Sequence, residues 1–180
     1  MSKFTFDGYA NQLSWGAEGG ALNGYSQLFR NGIIENVAAG FLDQSQAPGA
    51  PTAPLYWLEI LTMDCAERML KIMKLLEIPG PYYLLLALLN MKGLRVMSGQ
   101  RAHYDPDVRT IDRENLILPE VLLENTDVLI ESEMRSSFDM IWNACGWQRS
   151  WNYDKDGNFP QNGENHCTDS CLISGLRALI

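Results

Sequence analysis

From Pro54 to Pro79-Gly80-Pro81 the chain carries one unbroken helical pattern. Leu58, Leu61, Cys65, Met69, Ile72 and Leu76 recur at intervals of three and four, which predicts a long helix with one apolar stripe. Pro54 suits a first-turn position because its φ is already helical. Lys71 and Lys74 fall near the C-terminal end, where the helix dipole favours cations. Pro79-Gly80-Pro81 stops the pattern. Such a helix needs a surface on which to bury its stripe, so the neighbouring segments must supply one.

The segments before it read as β structure. Phe4 to Tyr9 alternates apolar and polar residues, and Leu13 to Trp15 forms another short strand candidate. Tyr25 to Arg30 and Ile33 to Ala38 flank Asn31-Gly32, which predicts a hairpin with a two-residue turn because both positions tolerate φ > 0. Residues 44–54 (QSQAPGAPTAP) form a Pro/Ala-rich stretch without charge, read as a mobile loop inside one domain.

After the long helix, Pro81 to Met91 has no β-branched residue and reads as a short buried helix, followed by a strand from Leu94 to Met97. Gly99 to Val108 reads as a polar loop. Leu116 to Leu123 is a strand candidate in which Pro119 cannot donate to a ladder, so it should be an edge strand or bulged. Thr126 or Asp127 is positioned to cap a second helix with the stripe Ile130, Met134, Phe138, Ile141 and Cys145, and Gly146 is a natural stop. Thr168 or Asp169 would cap a last short helix through Leu179, within a tail at 160–180. The order predicts a single α+β domain, with a small, mostly antiparallel sheet packed against two to four helices.

Composition narrows the partners. With 22 acidic and 14 basic residues the net charge is −8, and no basic cluster stands out. That balance disfavours direct nucleic-acid or anionic-lipid binding, because phosphate contact is driven by Lys and Arg. The longest apolar run, Tyr82 to Leu89, is far below the roughly 20 residues of a membrane span. The N-terminal MSKFTFDGYANQ lacks the apolar centre of a signal peptide. Four cysteines are too few for a disulfide scaffold, so the chain reads as cytoplasmic.

Chemistry is sparse. Asn152, Asp154, Asp156 and Gly157 begin like a calcium loop, but position twelve is Gly163 and Pro160 interrupts. His166, Cys167 and Cys171 offer three ligands where structural zinc usually takes four. No nucleophile elbow, phosphate-binding glycine loop or His-Glu-x-x-His helix is present. The only histidines are His103 and His166, and nothing in the sequence places either as a base acting on a nucleophile. A carboxylate pair such as Glu35 with Glu59 or Asp64 is the other route, and sequence alone does not test it. No catalytic residue, metal or cofactor is expected.

Phe138 to Phe159 (FDMIWNACGWQRSWNYDKDGNF) is the densest candidate surface, with three of the five tryptophans inside ten residues. Trp147, Arg149, Trp151, Tyr153 and Asn143 could form a recognition surface, joined by Arg30 and Glu35 beside the hairpin turn. The plainer reading is a corner after a helix, with Trp142 packed on the helix stripe and Asn143 and Asp139 tying down the following chain.

Three segments carry a family resemblance. They are Phe29-Arg30-Asn31-Gly32-Ile33-Ile34-Glu35, the stretch Ile111-Asp112 to Leu118-Pro119-Glu120-Val121, and the run from Phe138-Asp139 through Trp142-Asn143-Ala144, Gly146, Arg149-Ser150 and Asn152-Tyr153-Asp154 to Gly157. Together, over residues 25–160, they resemble the region that follows the AlbA-like, Schlafen-related DNA-binding domain in bacterial divergent ATP-binding and helix-turn-helix regulator proteins. The AlbA-like domain has no counterpart here, so its nucleotide and nucleic-acid labels are not carried over. The resemblance implies an accessory region with a sensing or assembly role in a prokaryotic protein.

The expected function is therefore a non-catalytic recognition or assembly module that meets a protein partner or a second copy of itself. The rival is a small-molecule- or nucleotide-binding domain or hydrolase, with the Trp/Tyr segment as pocket wall and Arg149 gripping an anion.

Overall fold

The computed structural model describes residues 2–14, 22–38, 53–98 and 108–159. The α+β expectation holds, and the elements gather into two compact units, described separately below.

The first unit is an antiparallel meander of four strands in the order β1 (Ser2–Phe4), β2 (Gly8–Ser14), β3 (Leu22–Phe29) and β4 (Ile34–Ala38). The predicted strand from Phe4 to Tyr9 is instead broken by a turn, in which Thr5 and Gly8 exchange backbone hydrogen bonds and the Thr5 hydroxyl accepts from Gly8 N at 3.1 Å. Leu13, expected to start a separate strand, belongs to β2. Asn31-Gly32 does make a hairpin, but not with a two-residue turn. Gly32 N donates to Phe29 O at 3.0 Å, Gly32 takes φ +86°, and Phe29 N bonds Ile33 O at 2.8 Å. That is a type I turn closed by a glycine bulge, and Asn31 uses its side chain to accept from Ile33 N rather than adopting positive φ.

The second unit holds two helices among the described residues, α1 (Leu55–Leu75) and α2 (Ile130–Ala144), which pack against each other. Pro54 does not open α1. It closes a two-residue strand, β5 (Ala53–Pro54), paired in parallel with β8 (Arg95–Met97), which pairs antiparallel with β9 (Arg109–Thr110).

The α1 stripe needs correction. Leu55, Tyr56, Glu59, Met63, Ala66 and Leu70 are the buried residues, while the predicted Leu58, Leu61, Cys65, Met69 and Ile72 are only half-buried and Leu76 is exposed. Both sets repeat at three and four, so period alone did not choose between two adjacent faces. The helix also ends before its prolines. Glu77 takes φ +52°, with Glu77 N bonding Lys74 O and Ile78 N bonding Met73 O, the paired bonds of a Schellman stop.

No helix forms over Pro81 to Met91. The segment gives β6 (Tyr82–Leu84) and β7 (Ala87–Leu88), paired antiparallel with β11 (Val121–Leu123) and β10 (Leu116–Ile117). Leu and Ala favour a helix locally, but ladder partners in residues 116–123 override that preference. Leu118 N bonds Leu86 O at 3.0 Å, so the two short sheets read as one ribbon. Within it Leu85 is matched by two residues, Pro119 and Glu120, which is the bulge that Pro119 demanded.

In α2 the predicted stripe is the buried one: Ile130, Met134, Phe138, Ile141 and Cys145 are all 3% exposed or less. The expected caps are not used. Leu129 is the N-cap and makes no side-chain cap bond, while Asp127 instead pairs with Lys74 of α1 at 2.7 Å. Glu131 and Glu133 in the first turn complement the dipole. Gly146 stops the helix as expected, at φ +84°, with Trp147 N on Trp142 O and Gly146 N on Asn143 O. The polar loop at 99–107, the Pro/Ala-rich residues 44–52 and the tail from 160 onward lie outside the described residues.

Candidate functional site

Beyond Gly146 the chain turns back over α2, and local hydrogen bonds explain the path. Asn143 Nδ2 donates to the carbonyls of Trp147 and Gln148 at 3.0 and 2.8 Å, and Ser150 N donates to Asp139 Oδ1 at 2.8 Å. Both tethers come from the last turns of the helix, from exposed Asn143 and half-buried Asp139. They deliver Trp147 and Trp151 beside Trp142, with ring centroids 5.2 to 6.0 Å apart in all three pairs. Arg109 stacks over Trp147 at 4.6 Å and its Nη1 donates to the Gly146 carbonyl.

Beneath this cluster lies Glu59, a carboxylate on the buried face of α1 that is 1% exposed. Trp142 Nε1 and Ser150 Oγ both donate to its Oε1, at 2.6 and 2.8 Å, and Asn152 Nδ2 donates to Oε2 at 2.6 Å. Burial pushes the Glu59 carboxyl up to about 7, against the pull of its three donors, and the nearby Asp139 charge adds to the rise. One carboxylate thus joins α1, α2 and the returning segment.

The remaining predicted residues take different places. Trp147 and Tyr153 are buried, at 4% and 6%, and belong to the core. The Tyr153 hydroxyl donates to Glu131 O at 2.7 Å, and its ring meets Phe138, Phe159 and the Arg135 guanidinium. Burial raises the Tyr153 hydroxyl well above its ordinary range. Asn143 is exposed and spent on the corner backbone. Arg149 is exposed, and Trp151, at 57%, presents one side to solvent. Asp154 accepts from Asp156 N and Asn158 N, both at 2.9 Å, while Asn152 points to Glu59, so this stretch is built as a turn.

In the first unit, Arg30 Nε donates to Phe6 O at 3.0 Å and Arg30 N to Asp7 O at 2.9 Å. Those bonds hold the β1–β2 and β3–β4 turns side by side, around a shallow hollow of about 410 Å³ lined by Phe6, Asp7, Phe29, Arg30 and Asn31. Glu35 is exposed and accepts from the Tyr25 hydroxyl at 2.7 Å, a bond that raises the Tyr25 pKa.

Two features go beyond the sequence reading. Glu59 is named there only as a possible partner of another carboxylate. Its burial among Trp142, Ser150 and Asn152 had a signal, as it is the one charged residue on an otherwise apolar face from Leu55 to Leu70. The other is the outer face of the ribbon. Its inner side buries Leu88, Leu116, Leu118 and Leu123, while Tyr83 (65%), Leu85 (77%), Leu89 (56%), Ile117 (77%) and Leu122 (43%) stand exposed on the other. The signal was the unbroken apolar run YYLLLALL, the pattern of a strand covered on both faces.

No family model, curated protein or solved structure matches this chain. Among the described residues, no three His, Cys, Asp or Glu side chains converge as a metal site, and no helix is long and apolar enough to cross a membrane.

Proposed function

We propose that this chain is a non-catalytic recognition and assembly module, and that the outer face of the β6/β7/β10/β11 ribbon is its contact surface. The observation that carries this reading is the set of five large apolar side chains on one face, each 43% exposed or more. A contiguous apolar patch of that kind marks an interaction surface far more often than a solvated one. The Trp/Tyr segment serves the module by rigidifying its corner, since Trp142, Trp147 and Tyr153 are core residues and Glu59 is saturated with donors. Its resemblance to an accessory region of prokaryotic regulators accords with such a role.

The small-molecule or nucleotide reading retains one supporting observation, the hollow beside Arg30 and Phe6. A thermal-shift screen with nucleotides, inorganic phosphate, divalent metals and chelator separates the two. The assembly reading expects no shift from any of them. It also expects binding of a hydrophobic dye to be reduced by the double change Leu85→Lys and Ile117→Lys. A stabilising shift with a nucleotide that Arg30→Ala removes would replace it.

A further inference from the structure

Resting on the reading of the ribbon as a contact surface, we infer that its occupant is a second copy of this chain, packed ribbon face to ribbon face in a two-fold dimer. Three observations point there. The first is charge. The chain carries −8 overall, so charged faces of two copies repel on approach. The outer ribbon face adds least to that repulsion, because Tyr83, Leu85, Ala87, Leu89, Ile117 and Leu122 carry no charge and Glu120 enters only at the bulge. A foreign partner with a basic surface would gain nothing by docking on this face. An identical uncharged face loses nothing.

The second is geometry. A two-fold interface uses the same patch on both copies, so the patch has to complement itself. Antiparallel ribbons do so naturally. Their side chains stand up from one face in alternate rows, and two such faces stack about 10 Å apart with the rows interdigitated. Leu122 lies opposite Tyr83 and Ile117 opposite Ala87, so bulky and small positions are both present to interlock. Stacking would also complete the pattern in the sequence, covering the second face of a run that is apolar at every position from Tyr82 to Leu89.

The third is area. Exposed apolar side chains of this size offer on the order of 100 Å² each. Five of them on each copy come to roughly 1,000 Å² for the pair, the threshold of a specific interface. An interface at that threshold belongs with weak, reversible associations, so the dimer forms in a concentration-dependent way.

Sedimentation equilibrium of the full chain, from a few micromolar to several hundred micromolar, tests this directly. The expected result is a concentration-dependent mass reaching twice that of the chain. Leu85→Lys and Ile117→Lys, made separately, should each weaken association on the order of 100-fold, because each would place a charged ammonium inside an apolar contact. Both side chains are exposed in the single chain, so near-UV circular dichroism of the variants should match the parent. A parent that stays monomeric throughout overturns the dimer and leaves the contact-surface reading intact with a different partner. A dimer that neither substitution weakens also overturns the ribbon-to-ribbon dimer, because association then uses another face.

Discussion

Trp142 Nε1 donates a 2.6 Å hydrogen bond to Oε1 of Glu59, across 83 positions of sequence, and both residues are 1% exposed or less. With Ser150 and Asn152 completing the set, the carboxylate has donors on both oxygens and no cation among them. Hydrogen bonds compensate part of the desolvation cost, and the carboxyl responds by holding its proton to about pH 7.

Stability should therefore depend on pH in a definite direction. The folded pKa of Glu59 lies above its ordinary value of 4.5, at about 7, so the folded state keeps a proton that the unfolded chain has already released. The Glu59 contribution is most favourable below pH 4.5, declines as pH rises through 7 and is flat above. Its full range is about 3 kcal/mol. Urea unfolding of the parent and of Glu59→Gln from pH 5 to 8.5 should give a difference that shifts in favour of the variant as pH rises. A constant difference would contradict the assignment.

Removing one donor should cost less than removing the carboxylate's whole environment. Trp142→Phe keeps most of the buried ring but leaves Oε1 with Ser150 alone, and should lose about 1–3 kcal/mol by chemical denaturation. Arg149→Ala, on the exposed side of the same segment, should stay within about 0.5 kcal/mol.

Gly146→Ala tests the corner that positions the cluster. At φ +84° an L-residue is strained, and a Cβ would lie 3.1 Å from Arg109 Nη1, which stacks on Trp147. A loss of about 1–2 kcal/mol is expected, with a change in near-UV dichroism from the repositioned indoles.

Glu77→Gly should do the opposite. Glu77 occupies the left-handed stop of α1 at φ +52°, where glycine is the favoured residue. A gain of about 0.5–1 kcal/mol, read as a raised Tm, is the expected outcome.

Cys145 is 3% exposed and burial pushes its thiol up to about 12. A thiol so placed has almost no thiolate at neutral pH. Peptide mapping after brief alkylation should find Cys145 unmodified in the native protein and labelled in denaturant.

The sequence was most legible where one element settled its own geometry. The α2 stripe from Ile130 to Cys145, the stop at Gly146 and the bulge at Pro119 each follow from residues a turn or two apart, and each is found as expected. It was least legible where a distant segment chose between local options. Tyr82 to Leu89 has helix-forming composition and becomes strand only because residues 116–123 run beside it. Along α1, two neighbouring faces share the same period, and the one that packs into the core contains Glu59, a burial that Trp142, Ser150 and Asn152 make tolerable by bonding the carboxylate. A reader of α1 alone would place that charge in water.

The separation between Glu59 and its donors, 83 to 93 positions, has a consequence for the order of events during synthesis. When α1 leaves the ribosome, the three groups that bond its carboxylate in the folded chain have still to be made. The native environment of the α1 face is therefore complete only once Trp142, Ser150 and Asn152 have emerged, so the last-made part of the unit finishes the docking of the first.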